Sequence, residues 1–226
     1  MRRRIIQFSM IILIIITILF SVKYLGEQKI YIPITLIMLE TFGLFFLKFE
    51  NRKPNAKEIV LIAVLCALCV ASRIAFAPFP NFKPMLALII LAGVSFGAET
   101  GFLVGAAAAF ASNIYFGQGP WTVWQMFACA LVGFLGGVFF SGKTEQNALK
   151  LCVFGALSTY IIYSGIVNFS FAALYNKPTL ALFLASEIAA LPFDITHTSA
   201  TVIFLAVLQK PLLRTFERAK KRLGIS

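Results

Sequence analysis

The sequence predicts an all-α integral membrane protein. Hydrophobic residues make up 60% of its 226 residues, well above the share typical of a soluble domain. Several apolar runs approach or exceed the roughly 20 residues that a helix needs to cross a bilayer. These runs do not alternate apolar and polar residues as membrane strands do, so helices are expected.

The apolar runs divide the chain into a two-helix preface (1–50), a polar linker (51–56), a six-helix body (57–210) and a basic tail (211–226). We predict eight spans, at residues 5–25, 30–48, 57–77, 84–98, 101–116, 122–141, 149–171 and 187–209. The first follows Arg2, Arg3 and Arg4 as a signal peptide would. Because it is longer than the usual apolar part of a signal and no small-x-small cleavage motif follows, we expect it to be retained. Glu40 falls near the middle of the second span, where a carboxyl must be neutral, paired or in a cavity.

The basic residues indicate how the chain is oriented. With a cytoplasmic N-terminus, all but five of the 20 basic residues lie in cytoplasmic segments; the five outside are Lys23, Lys29, Arg73, Lys83 and Lys177. The positive-inside rule then predicts a multi-pass protein of a prokaryotic cell membrane with both termini, the linker and the tail in the cytoplasm. The basic residues are spread over separate segments without interleaved aromatic residues, which argues against nucleic-acid binding.

Two proline-bearing loops, Pro78–Pro84 and Phe116–Met126, interrupt the apolar sequence. The segments between them, Met85–Ala98 and Gly101–Tyr115, are so short that we expect a hairpin that brings both loops to one face, the outer face by charge. Polar and aromatic residues predicted near this face are candidates for a binding site, because polar groups in a membrane are costly and are usually paired or functional. They are Arg73, Asn81, Lys83, Asn113, Gln118, Trp121, Trp124, Gln125, Asn168, Glu187, Asp194 and His197.

Several of these residues allow a structural interpretation as well. Arg73 can reach the outer headgroups, contact a ligand or pair with Asp194, and His197 can form a core hydrogen bond or contact a ligand. The two tryptophans can belong to an interfacial belt. A chain with one His, four Cys inside apolar runs and scattered acids predicts no metal site and no enzyme. We expect no intrinsic cofactor and no ATP hydrolysis by this chain itself.

Small residues mark one more feature. Ala63, Ala67 and Ala71 lie on one helix face by their spacing of four, and such a stripe either packs inside the protein or lets a partner helix approach closely. We call these three residues the alanine stripe. Small residues at the same spacing continue through the next two spans and suggest helices that can slide against their neighbours.

The body resembles the substrate-binding S component of energy-coupling factor (ECF) vitamin transporters. The resemblance covers about residues 57–210 and rests on the Ala63-x-x-x-Ala67 motif, the Pro-Asn-Phe-Lys-Pro loop, the Gly-rich third body helix and the Gly117-Gln-Gly-Pro-Trp121 turn. It implies a six-helix bundle, an outer substrate pocket and loops over it at Pro78–Pro84, Phe116–Trp121 and Phe171–Ala185. The two-helix preface departs from the six-helix pattern of the family.

The resemblance also implies partners and a cargo. Carried onto this chain, the alanine stripe would contact a transmembrane T component, and two cytoplasmic ATPases would hydrolyse ATP. Phe82 joins Asn81, Lys83, Gln118, Trp121, Trp124, Gln125, Asn168, Asp194 and His197 as a pocket candidate. The loops are most similar to S components assigned to cobalamin, although other vitamins are open.

Two other functions are compatible with the sequence. One is a self-sufficient, proton-coupled secondary transporter that uses Glu40, Glu187 or Asp194 as a relay. The other is a structural membrane subunit without a ligand. A membrane enzyme acting on lipids is disfavoured, because the acidic residues are few and scattered.

Overall fold

The computed structural model describes residues 16–17, 31–52, 54–142, 147–175 and 179–224. Within those ranges the regular secondary structure is entirely helical. The predicted first span, 5–25, lies outside the described residues apart from 16–17, and so do Lys23, Lys29, Lys143 and Lys177.

The helices follow the predicted order along the chain. They are α1 (Tyr31–Asn51), α2 (Ala56–Ala75), α3 (Met85–Phe96), α4 (Ala98–Phe116), α5 (Thr122–Phe140), α6 (Ala148–Leu157), a π-helical segment (Ser158–Ser164), α7 (Gly165–Tyr175) and α8 (Leu180–Leu223). Five described helices are long and apolar enough to cross a membrane. In this count α6, the π-helical segment and most of α7 form one continuous helix. The five are α1, α2, α5, Ala148–Leu174 and α8. The chain is therefore an all-helical, multi-pass membrane protein.

The α3–α4 pair forms the predicted hairpin. Gly97 joins the two helices with a φ of 94°, a left-handed conformation that glycine adopts without steric cost. With 12 residues, α3 is only about 18 Å long, so the predicted span 84–98 is too short to cross a bilayer by itself. It lies in the centre of the bundle, where Leu86–Ala92 are fully buried against α2, α4, α5 and α8.

Glycines allow α3 and α4 to lie very close to α5. A methyl group on Gly93 or Gly101 would meet the carbonyl oxygen of Gly133 at 2.1 or 2.3 Å, and one on Gly105 would meet that of Cys129 at 2.4 Å. Only residues without a side chain fit such backbone contacts. The small residues that the sequence singled out here thus pack inside the bundle.

Helix α8 differs most from its predicted boundaries. Its 44 residues extend well beyond the predicted span 187–209 and include Pro192 and Pro211. The predicted outer loop Phe171–Ala185 is wrong, since 171–175 end α7 and 180–185 begin α8; only Thr179, the N-cap, is described between them. The basic segment after 210 continues the same helix to Leu223.

Helix α1 packs along α4 and α5 and touches α7. Its middle residues Phe42 and Phe45 pack against Phe102, the Phe45 and Phe102 rings being stacked at 3.7 Å. Thr17 donates a hydrogen bond of 2.8 Å to one carboxyl oxygen of Glu40, which identifies the partner that the sequence left open. The other oxygen of Glu40 is buried without a hydrogen bond.

Candidate functional site

A cavity of about 500 Å³ lies between α7 and α8, next to the loop 76–84 and the start of α5. We call the end of the bundle that carries the loops 76–84 and 117–121 the loop side. The cavity is lined by Asn81, Gln125, Tyr163, Ser164, Val167, Asn168, Phe171, Ser186, Ala189, Ala190, Phe193, Asp194 and His197. Phe171, Ala189 and Phe193 are exposed, so the cavity opens at the surface. Its size is in the range of pockets that hold small organic molecules.

Asp194 is the acidic residue of the cavity. Its side chain is buried, with 8% of the residue exposed, and its Oδ2 accepts a 2.8 Å hydrogen bond from the amide nitrogen of Asn168 on α7. His197 lies one turn further along α8, and its ring makes an edge contact with Tyr163 at 4.8 Å between centroids. Helix α7, helix α8 and the π-helical segment therefore bring an amide, a carboxyl, an imidazole and a phenol group to one wall of the cavity.

A chain of hydrogen bonds leads from Arg73 to the cavity. Arg73 Nη1 donates to the amide oxygen of Asn113 at 2.7 Å and also to Ser112 Oγ. Asn113 in turn donates to Gln125 at 2.7 Å, and Gln125 donates to the hydroxyl of Tyr163 at 2.9 Å. The ion pair suggested between Arg73 and Asp194 is absent from the described residues, because the guanidinium points to α4 instead.

The two loops meet, as predicted. The ring of Phe116, which precedes the second loop, lies 4.5 Å from the guanidinium carbon of Arg73 and 4.2 Å from Lys83 Nζ in the first loop. Burial, reinforced by the neighbouring Arg73 guanidinium, lowers the pKa of Lys83 below its ordinary value. Asn81 in the same loop has a φ of 56°, a left-handed conformation in which Asn is enriched among non-glycine residues.

The structure separates the predicted site residues into those at or near the cavity and those that lie elsewhere. Asn81, Gln125, Asn168, Asp194 and His197 line the cavity. Arg73 and Asn113 reach it through the hydrogen-bond chain, and Lys83 and Phe82 lie in the adjoining loop. The ring of Phe82 packs against Phe76 and Phe204.

Of the remaining four candidates, Glu187 lies on α8 and does not line the cavity, and the other three contact other parts of the protein. Trp124 is buried and donates a 3.1 Å hydrogen bond to Thr35 of α1, so it fixes the preface and does not line the cavity. Trp121 stacks on Phe171 at 6.5 Å, at the edge of the cavity. Gln118 donates to the carbonyl of Phe110 at 2.9 Å and lies on the exposed loop.

The sequence did not predict the part of the cavity wall that the π-helical segment supplies. Tyr163 and Ser164 line the cavity, and Ser164 Oγ is buried without a hydrogen-bond partner. The π-helix, a conformation that is frequent at functional sites, interrupts the regular helix here. A signal was present, since Ser158, Thr159, Tyr163 and Ser164 form a cluster of hydroxyl residues inside an apolar span.

The alanine stripe lies on the outer surface of the bundle. Ala63, Ala67 and Ala71 are all exposed, whereas the buried face of α2 consists of Leu61, Leu65 and Cys69. Within the described residues, the stripe therefore does not pack inside this chain. The stripe carries only methyl side chains, so another helix can approach it closely.

Both a family model and several curated relatives match this chain. Residues 53–220 match the family described as "Family of unknown function (DUF6580)". The chain is similar to UPF0397 proteins, with 31% identity to one from Aliivibrio salmonicida (strain LFI1238) and 25% to one from Vibrio atlanticus (strain LGP32). Each alignment covers 74% of this chain and 94% of the relative. No solved structure matches. Since the family match spans most of its length, the chain belongs to the DUF6580 family.

Proposed function

We propose that this protein is the substrate-binding S component of an ECF-type transporter, which captures a vitamin or related micronutrient at the outer face for ATP-driven uptake. The observation that carries the proposal is the cavity of about 500 Å³, which lies beneath the loop side and combines polar with aromatic walls. A cavity at one end of a membrane bundle suits a protein that takes up a small solute from that side.

The volume of the cavity indicates how large a cargo can bind there. Cavities of about 300–1,000 Å³ hold drug-sized ligands, and most water-soluble vitamins are of that size. Cobalamin, the cargo that the loop sequences favour, is a much larger corrinoid. To admit it, the loops 76–84 and 117–121 would have to move apart, so the present cavity favours a smaller vitamin.

The alanine stripe supports the proposed partnership. A row of exposed alanines on a membrane helix lets another helix pack closely, and Val60, Val64 and Leu68 beside it add exposed apolar area. We propose that this face contacts a T component, which couples the chain to two cytoplasmic ATPases. The chain does contain the letters of a Gly-x-x-x-x-Gly-Lys-Ser/Thr pattern at residues 137–144, but Gly137 lies in helix α5 and not after a strand, as in a phosphate-binding loop. We therefore propose that the energy for uptake comes from those subunits.

The proposal is tested by uptake of labelled vitamins into cells that express this chain with and without T and ATPase subunits. We expect uptake only with the complete set. Transport by this chain alone at the same rate would overturn the proposal.

A matched pair of variants separates partner contact from cargo binding. Ala67→Leu enlarges a residue of the alanine stripe, whereas Ala206→Leu makes the same change at an exposed position of α8. We expect Ala67→Leu to lower partner-dependent uptake severalfold while the purified protein still binds its cargo. Ala206→Leu should leave both unchanged; equal uptake by the two variants would argue against the stripe as the contact.

A second function is supported by the carboxyl groups of Glu40, which is partly buried, and Asp194, which is buried. Glu40 and Asp194 lie in membrane-spanning helices, and neither forms an ion pair within the described residues. Such groups occur in proton relays of secondary transporters. This alternative predicts uptake by the chain alone, collapse on addition of an uncoupler and loss of transport in Glu40→Gln or Asp194→Asn.

A further inference from the structure

We propose that the cavity binds an organic cation with a flat apolar body, whose positive charge pairs with Asp194. This inference rests on the proposed function and specifies the substrate class of the same site. It follows from the charges, the aromatic walls and an unused hydroxyl of the cavity.

The charge of the cavity wall comes first. Among the described residues that line the cavity, Asp194 is the acidic side chain and none is Lys or Arg. Its carboxylate accepts a hydrogen bond from Asn168, which is a neutral donor. A buried carboxylate without a cationic partner is costly inside a membrane protein. A positively charged ligand would supply the missing partner.

Among the described residues, the neighbouring Arg73 and Lys83 form no ion pair with Asp194. Arg73 donates to Ser112 and Asn113, and both Arg73 and Lys83 face the ring of Phe116. Neither lines the cavity. Glu187, two helical turns before Asp194 on α8, has a buried oxygen without a hydrogen bond and adds a second acidic group near the same wall.

Aromatic residues complete a site for a cation. Tyr163, Phe171, Phe193 and His197 line the cavity, and Trp121 stacks on the outer side of Phe171. Aromatic faces attract organic cations and also bury the flat part of a ligand. Anions gain nothing from such faces, so the walls and the carboxylate favour the same class of ligand.

Ser164 provides an independent indication that a ligand is bound here. The residue is 1% exposed, lines the cavity and has a hydroxyl oxygen without a hydrogen-bond partner. Buried polar groups are normally satisfied, and an unsatisfied one calls for an explanation. A polar group on the ligand would satisfy this hydroxyl while the ligand's charge meets Asp194.

The test measures binding to the purified full-length protein in lipid nanodiscs by thermal shift and isothermal titration. The probes differ in charge: thiamine is the cation, pyridoxamine a second cation, riboflavin a neutral flat molecule and pantothenate the anion. We expect at least one cation to bind, and both the neutral and the anionic probe to bind more weakly. In Asp194→Asn the affinity for that cation should fall about tenfold to hundredfold, with little change for riboflavin.

Two control variants test whether Asp194 is the residue that pairs with the cation. Glu217→Gln removes an exposed carboxylate further along the same helix and should leave cation binding unchanged. Ser164→Ala should weaken binding less than Asp194→Asn, because it removes a neutral contact. If neither cation binds, or if Asp194→Asn binds the cation as well as the native protein does, the cation inference is wrong.

The outcomes also distinguish this inference from the proposed function. Binding of riboflavin or pantothenate in preference to both cations, together with partner-dependent uptake, would leave the S-component proposal standing and overturn the cation inference. Cation binding without any effect of partner subunits on uptake would do the reverse.

Discussion

Among single residues, Asn113 has the most demanding position. Its amide accepts from Arg73 and donates to Gln125, and it is almost fully buried. An amide can fill both roles because it carries an acceptor oxygen and a donor nitrogen on one group. Asn113 thus connects the guanidinium of α2 to the wall of the cavity and keeps Gln125 oriented toward Tyr163.

We expect Asn113→Leu to destabilise the protein by about 1–3 kcal/mol, because it removes the hydrogen bonds that the buried Asn113 amide makes with Arg73 and Gln125. Thermal unfolding of the purified protein, followed by tryptophan fluorescence, measures the change. The control is Gln118→Ala, which removes an amide hydrogen bond on the exposed loop and should have little effect. Equal stability of Asn113→Leu and the native protein would show that the hydrogen-bond chain does not hold this region.

Sequence could identify some of these residues and not others. Asn168, Asp194 and His197 are polar residues in apolar runs, and that alone marked them as candidates. Trp124 was assigned to the pocket because sequence cannot tell which neighbour an aromatic side chain faces, and here it faces α1. The sequence did not predict that Tyr163 faces the cavity. Tyr163 lies in the π-helical segment, whose geometry rotates side chains relative to a regular helix.

At the level of elements, the contact between the α3–α4 hairpin and α5 depends on glycine. A Cβ at Gly133 would lie 2.3 Å from the carbonyl oxygen of Gly101 and 2.8 Å from Ile89. Both neighbours are fixed, one as backbone and the other as a buried side chain. Close contact between these helices is what brings the loops 76–84 and 117–121 together over the cavity.

Gly133→Ala is therefore expected to destabilise the protein by about 1–3 kcal/mol, because the helices must separate to admit the methyl group. Gly165→Ala is the control, since a methyl group there would meet nothing within 4 Å and replaces a glycine in a helix, for a gain of up to about 1 kcal/mol. Thermal unfolding of the two variants side by side decides the point. A Gly133→Ala protein as stable as Gly165→Ala would show that this contact is loose.

The helices illustrate how far the sequence predicts elements. Apolar length predicted α1, α2 and α5 to within a few residues. It failed at α8, which begins before and ends after the predicted span 187–209. Pro192 and Pro211 each lie inside the helix, with the hydroxyls of Thr196 and Thr215 donating to their carbonyl oxygens. A polar or proline-bearing segment continues as helix where its neighbours support it, and sequence does not show the neighbours.

On the scale of the whole molecule, the preface helix α1 is fastened to the body at both ends. On the loop side Tyr31 donates to the carbonyl of Pro120, and Thr35 accepts from Trp124. At the other end Lys48 pairs with Glu99 at 2.6 Å. Helix α1 is therefore held as part of the bundle, although the family match begins only at residue 53.

The same contacts define the two ends of the molecule. Ser141 follows α5, whose 19 residues place it about 28 Å from the loop side. Lys48, Arg52 and Glu99 meet at that far end, and Lys57 of α2 lies 3.5 Å from the carbonyl of Leu223 in the basic end of α8. The positive-inside rule predicts that this basic end faces the cytoplasm and that the loop side faces outward.

This orientation predicts which positions a membrane-impermeant thiol reagent reaches in intact cells. Gln118 and Ser141 are both exposed, one on the loop side and one at the basic end. We expect Gln118→Cys to be labelled in intact cells, and Ser141→Cys only after the membrane is permeabilised. The native chain serves as the baseline, because its four cysteines are buried or partly buried in helices. The opposite labelling pattern would place the cavity on the cytoplasmic side, where it could not capture a solute from outside, and would contradict uptake as the function.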